Sequence, residues 1–511
     1  MKPARESPRG AAFAATILVA GIAALKLVAH LYASRRYGYF VDELYYLACG
    51  DHLAWGYVDQ PPLIAFIVRG VRLTLGDSLL AIRFLPALAG AALVWLTGLM
   101  ARDLGGGRFA QVLAALCSLL APGLLAINGF LSMNAFEPLI WTACAWVFIR
   151  IVNTGDQKLW MWIGALAGLG LENKHSMLIF GAGIVMGLVL TKRRQCFREP
   201  WIWMAGLLAL LLFLPNLIWN IQHGFPFLEL QANIRLSGRN VDLGPFSFFA
   251  QEALAMSPLA LPIWLGGLWW FFSEKGRAFR ALGWAWLFTA GIIALLNPRI
   301  YYLFPAFPIL FGAGAVQWEA WVQRPALRFA HAALMVATGA ILAPFSIPLL
   351  PVDAYIRYAK ALHMQQPAIE NHQLGPLPQI FADQFGWEQM AAVVARVYNN
   401  LPAEVRAKTA IFGQNYGQAG AIDFFGPKYG LPKAISGHQS YFFWGPRGYT
   451  GDSMIVLDDR REVLERLFDH VEKVARVEHP YSMPYQHFDV FYCRGIKQPL
   501  RLLWPRLKKW D

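Results

Sequence analysis

This chain is short of charge. Only 15% of its 511 residues are Asp, Glu, Lys or Arg, while 57% are hydrophobic. Soluble globular chains carry about 25% charge and about 45–50% apolar residues. The deficit excludes an ordinary soluble enzyme. Cysteine is scarce as well. The five cysteines include no close pair, and Cys117 and Cys144 fall inside apolar runs, so neither a disulfide framework nor a metal-binding spacing is visible. A cleavable leader is not expected: the first apolar run lacks an A-x-A-like site and is long enough to stay as a span. No convincing internal repeat is seen, which counts against the repeated halves common in transporters.

What the chain has instead is a series of apolar runs near the ~20 residues that cross a bilayer. Two of them are AAFAATILVAGIAALKLVAHLY (11–32) and SLLAIRFLPALAGAALVWLTGLMA (78–101). The pattern predicts a polytopic α-helical membrane protein with about eleven spans. They lie near 12–32, 79–101, 109–127, 135–151, 159–171, 176–191, 201–220, 248–272, 281–297, 300–317 and 329–350. The formal net charge is +13. In a soluble chain that would suggest nucleic acid. Here the basic residues cluster between apolar runs, as cytoplasmic loops require, so no nucleic-acid partner is expected. Lys2, Arg5 and Arg9, with Arg102, Arg108, Lys192–Arg194 and Arg277, set the N-terminus in the cytoplasm. The loop 33–78 and everything after Leu350 then face the other side.

The expected domains are a membrane domain, 1–351, and a soluble periplasmic α/β domain, 352–511. In the latter, KTAIFG (408–413), MIVLDD (454–459) and HFDVFYCRG (487–495) read as strands. GWEQMAAVVARVYNNL (386–401), QAGAIDFFG (418–426) and REVLERLFDHVEKV (461–474) read as helices. The alternation suggests a mainly parallel sheet. GQNYGQAG (413–420) lacks the G-x-G-x-x-G spacing and reads as a strand-to-helix turn rather than a phosphate loop.

The scarce acids concentrate in one outer loop, FVDELYYLACGDHLAWGYVDQPPLIAF (40–66). Phe40, Leu44 and Leu47 recur at helical spacing and suggest a short helix on the membrane surface, with Asp42 and Glu43 at its start. Pro61-Pro62 opens a second helix that Asp59 or Gln60 would cap. Each acid alone could be a cap or a solvated interfacial charge. Together, among Tyr45, Tyr46, Trp55 and Tyr57, they could hold carboxylates against a lipid-borne substrate. Group transfer to a hydroxyl fits: a carboxylate accepts the proton of a poor nucleophile as the bond forms. A phosphate leaving group would need a cation. Lys174 and His175, set between two apolar runs, are the first candidates, then Arg299 at an outer boundary, then His223 and Arg235 in the loop 221–247. Snorkelling to the interface is the bland reading of that pair. A second carboxylate could hold a divalent metal, the one cofactor these residues leave open.

With these residues in view, DELYYLACGDHLAWGYVDQPPL (42–63) resembles the first periplasmic loop of bacterial glycosyltransferase family 39. These are GT-C-type membrane enzymes, related to protein O-mannosyltransferases and to the aminoarabinose transferase of lipid A. LSMNAFEPLIW (131–141) is similar to the family's second outer loop, Lys174 to a lysine after its fifth span, and RIYYLFPAFP (299–308) to its late tyrosine-proline motif. The resemblance covers about 35–315. It implies a polyprenyl-phosphate-linked sugar donor used on the periplasmic face of a bacterial inner membrane, with inversion at the sugar carbon. Asp42 would be the acid/base carboxylate, with Glu43 beside it. Asp59 would be the second acid and a metal ligand if one is used, and Lys174 would face the lipid phosphate. Many relatives carry Asp where this chain has Asn134; Glu137 would take over that charge. The acceptor, an envelope lipid, polysaccharide or protein, is left open. The competing readings are a transporter or lipid flippase, and a membrane-anchored scaffold.

Overall fold

The computed structural model describes residues 8–238, 243–296, 299–364 and 373–511. Lys2 and Arg5, used to orient the N-terminus, lie outside them. The chain forms two compact units. One joins residues 1–36, 80–218 and 242–351; the other joins 37–79, 219–241 and 352–511.

The first unit is helical. Helices occupy all eleven expected stretches, from Pro8–Ala33 to Pro325–Leu342. Among the described residues, seven are long and apolar enough to cross a membrane, or eight if one bent pair counts as a span. Eleven spans therefore stays an expectation from the sequence. Trp160–Asn173, at 14 residues, rises only about 21 Å. The bent pair corrects the single span expected over 248–272. Helices Pro245–Ala255 and Pro258–Phe272 meet at 99°, where Ser257 has φ 73° and Pro258 follows. Proline removes an N–H and its ring blocks a straight continuation. The core of this unit is aliphatic and aromatic, with Trp141 stacked on Phe180 at 4.5 Å. Helix is the form an apolar chain takes in lipid, because each backbone N–H and C=O must find its partner within the segment.

The second unit is α/β and gathers the first loop with the tail. Its four-stranded sheet has the order β1-β2-β4-β3, with β1 Ala410–Phe412, β2 Ser453–Leu457, β3 Phe468–Val477 and β4 Phe488–Ile496. Only β1 and β2 pair in parallel; β2–β4 and β3–β4 are antiparallel. The mainly parallel sheet was a wrong expectation. So was the continuous helix over 461–474: the helix Arg461–Leu467 ends at Phe468, and β3 begins there. β3 lies at the sheet edge, where charged residues such as Glu472, Lys473 and Arg476 are tolerated and discourage further pairing. Those same charges made it look like a solvated helix.

The loop 33–78 holds two helices, Val41–Asp51 and Leu63–Thr74. The first does not present an exposed interfacial face: Glu43 to Gly50 are all buried. Much of its cover is the helix Tyr416–Phe425, whose Gly420 faces Leu44. A Cβ at 420 would stand 2.9 Å from the Leu44 carbonyl, closer than packed carbons approach. Pro62, not Asp59 or Gln60, stands at the cap of the second helix, with no side-chain cap bond.

Candidate functional site

The second unit brings the two loop acids under tyrosine control. Asp42 sits in the first turn of Val41–Asp51, half-buried. The Tyr416 hydroxyl donates to its Oδ1 at 2.7 Å. The Tyr45 hydroxyl donates to Asp59 Oδ1 at 2.8 Å and lies 2.8 Å from Ser440 Oγ. Ser440 Oγ also accepts the Val58 N–H at 3.1 Å, which fixes the chain just before Asp59. The Tyr45 and Tyr416 rings pack at 4.8 Å, so the two carboxylate holders brace each other.

Electrostatics separates the two acids' surroundings. Burial raises Asp59 to about 7; the Tyr45 hydrogen bond opposes the rise and the Asp42 charge adds to it. Burial, then the Asp59 charge, pushes the Tyr45 phenol well above its ordinary range, so it stays a proton donor. A carboxylate poised near neutral pH beside a second one is an arrangement suited to proton transfer.

Other first-loop residues are placed differently. Glu43 is fully buried and its Oε2 accepts the Phe40 N–H at 2.8 Å, a helix-capping bond. Tyr46 is buried in the core. Asp51 pairs with Arg72 at 2.6 Å and with Lys433 at 3.4 Å. His223 donates from Nδ1 to the Trp219 carbonyl at 2.8 Å and stacks on that indole at 4.1 Å. Arg235, on Pro226–Ser237, is exposed.

The first unit holds three of the cationic candidates, Lys174, His175 and Arg299. Lys174 ends the helix Trp160–Asn173 and is 8% exposed. Its Nζ donates to Asn134 Oδ1 at 2.9 Å and to Glu137 Oε2 at 3.0 Å. The same ammonium lies 3.9 Å over the Tyr302 ring and 5.3 Å from that of Tyr301. Ser176 Oγ donates to the other Glu137 oxygen. Thus Lys174 meets Asn134 and Glu137, which lie 40 and 37 residues before it. Glu137 supplies the negative charge that Asn134 lacks. Arg299 lies beside Tyr301, with Nη1 3.5 Å from its hydroxyl. His175 points elsewhere, with Nε2 3.2 Å from Asn216 Oδ1.

Among the described residues, no three or more His, Cys, Asp or Glu are grouped to hold a metal ion. Asp59 Oδ1 and Asp42 Oδ1 each already accept a tyrosine proton. Sequence reasoning missed Tyr416 and Ser440, which lie 374 and 395 residues from their partners. It also named the 299–308 motif without seeing that its tyrosine faces carry Lys174.

Residues 59–219 match the family model described as dolichyl-phosphate-mannose-protein mannosyltransferase. Lipid A galacturonosyltransferase RgtD of Rhizobium johnstonii is 27% identical over 188 residues, 36% of this chain. That alignment spans 39% of the relative's length. Among solved structures, apo ArnT from Cupriavidus metallidurans superposes with a TM-score of 0.62 at 13% identity, covering 94% of this chain and 98% of that one. ArnT bound to undecaprenyl phosphate gives 0.57 at 12% identity, covering 93% and 97%. The chain is a multi-pass membrane protein with the ArnT fold, and the resemblance to GT-C glycosyltransferases is borne out.

Proposed function

We propose, from a chain with the fold and family match of the GT-C glycosyltransferases, that it is a membrane glycosyltransferase. It moves a sugar from a polyprenyl-phosphate-linked donor to an acceptor hydroxyl on the periplasmic face of a bacterial inner membrane. The observation that carries this reading is the pair Asp42 and Asp59, each held by a tyrosine hydroxyl, with Asp59 at about 7. The solved ArnT complex with undecaprenyl phosphate supports the donor class, and RgtD supports a lipid A-type acceptor.

In this reading Asp42 accepts the acceptor's hydroxyl proton as the new C–O bond forms. The bond from the sugar carbon to the phosphate oxygen breaks, and the electron pair leaves with the polyprenyl phosphate. Attack opposite the leaving group inverts the sugar carbon. Lys174 supplies positive charge for the phosphate, and an incoming phosphate oxygen would compete with Glu137 for its protons. A positioned base contributes about 10²–10⁴-fold to such a step. Glu43 serves the helix start rather than the proton.

The test is donor consumption by purified full-length protein, wild type and Asp42→Asn. The probes are undecaprenyl-phosphate-linked sugars, with lipid A as acceptor. Consumption of one glycolipid by the wild type, with sugar appearing on lipid A and at least a hundredfold loss in the variant, is expected. Equal rates in both proteins would remove Asp42 from the chemistry. Sugar on another envelope component would change the acceptor.

A further inference from the structure

The donor of Asp42's hydrogen bond is itself held by a chain of contacts that ends far along the sequence from the first loop. Tyr416 opens the helix Tyr416–Phe425, so its backbone N–H is one of the donors a helix start leaves unpaired. That N–H donates to His438 Nδ1 at 3.0 Å. His438 Nδ1 therefore carries the lone pair, and the ring proton sits on Nε2. Nε2 lies 3.0 Å from Asp511 Oδ1, the acceptor that fixes this tautomer. The His438 and Tyr416 rings are stacked at 5.0 Å and 8° from parallel. His438 is buried, while the Asp511 side chain is 42% exposed.

Asp511 is held in turn. Lys509 N–H donates to the Gly437 carbonyl at 2.9 Å, Gln439 N–H to the Lys509 carbonyl at 3.1 Å, and Gln439 Nε2 to the Asp511 carbonyl at 3.1 Å. A Cβ on Gly437 would stand 1.8 Å from the Leu507 carbonyl, so only glycine lets these two stretches lie together.

We propose that Asp511 is a positioning residue for Asp42, acting through His438 and Tyr416. Asp511 holds the His438 tautomer. His438 holds both the backbone and the ring of Tyr416, and the Tyr416 hydroxyl aims the Asp42 carboxylate. The inference rests on the catalytic reading of Asp42. A displacement of about 1 Å in such a group costs on the order of 100-fold in rate, so a partial loss of aim should be measurable.

The experiment uses full-length protein and the undecaprenyl-phosphate-linked sugar that the wild type consumes. Asp511→Ala should lower kcat about tenfold with KM within about twofold. Asp511→Asn, whose Oδ1 still accepts the Nε2 proton, should recover part of that loss. Gly437→Ala should behave like Asp511→Ala. In a Tyr416→Phe background, Asp511→Ala should cost nothing more, because the hydroxyl it aims is gone. Equal losses in both backgrounds would overturn the proposal.

A second readout needs no turnover. With 3-fluorotyrosine at position 416, the fluorine resonance should move in Asp42→Asn and also in Asp511→Ala. If Asp42→Asn keeps full transfer, the catalytic reading has failed, and this resonance alone decides the relay. A wild-type resonance in folded Asp511→Ala would then overturn it.

Discussion

At the scale of residues, the physics turns on how few charges are kept and how each is held. Asp59 loses its anion as pH falls through about 7. If transfer needs that anion, the rate should fall about tenfold per pH unit below this point. Tyr45→Phe removes the hydrogen bond that favours the anion, so the limb should move to higher pH. A pH–rate profile of both proteins checks this, and an unmoved limb would assign the titration elsewhere. The same shift acts on stability. Between the ordinary carboxyl value of 3.8 and about 7 the folded state holds a proton that the unfolded state has released. Stability from this group is present below 3.8 and is lost as pH rises to about 7. Asp59→Asn should therefore raise the melting temperature at pH 8 and change it little at pH 4. Lys174 and Glu137 form the opposite case, a buried pair. Removing one partner leaves a bare charge and costs about 3–5 kcal/mol. Glu137→Ala should thus melt well below wild type, while Lys174→Met with Glu137→Leu should recover much of that stability and still lack transfer. Scanning fluorimetry in detergent separates the three. Most of these side chains were legible in the sequence, because a charge among apolar runs stands out. Their holders were not: a half-buried Tyr302 or Tyr416 looks like any other aromatic in an apolar stretch.

At the scale of elements, local pattern succeeded where one face of a segment decides its form. The helix Trp387–Asn399 and the strands β1, β2 and β4 fall where the sequence places them. It failed where a neighbour decides. Nothing within residues 461–477 says that the chain will leave a helix at Leu467 to pair with β4; His470 opposite Arg494 and Glu472 opposite Tyr492 are long-range choices. The glycine-bearing turn before Tyr416–Phe425 reads correctly as a turn, yet the reason for Gly420 lies on another helix. Gly420→Val should push Tyr416–Phe425 off Val41–Asp51 and loosen the Tyr416–Asp42 bond. The expected outcome is faster proteolysis of the first loop and at least a tenfold loss of transfer. Wild-type proteolysis would show that the two helices tolerate the added bulk.

At the scale of the whole molecule, the second unit is made from three separate stretches, 37–79, 219–241 and 352–511. One of its apolar clusters takes Val58 from the first, Leu230 from the second and Trp510 from the third. The fragment 352–511 expressed alone should therefore fail to fold cooperatively, which far-ultraviolet circular dichroism during heating would show. A sharp transition would mean that the tail carries a sufficient core by itself. Hydropathy reveals the membrane helices and the point where they stop, but discontinuity of this kind leaves no trace in composition.

That discontinuity sets a timetable for biosynthesis. Asp42 is made before the tyrosine that restrains it, which lies 374 residues later. At about 5–20 residues per second, the carboxylate waits on the order of 20–75 seconds for its partner. Asp511 comes later still. During that interval the nascent chain threads its helices into the bilayer with the first-loop acids unrestrained. Ribosome stalling or a frameshift anywhere before the tail would leave a product that holds the first-loop acids without the Tyr416 bond to Asp42.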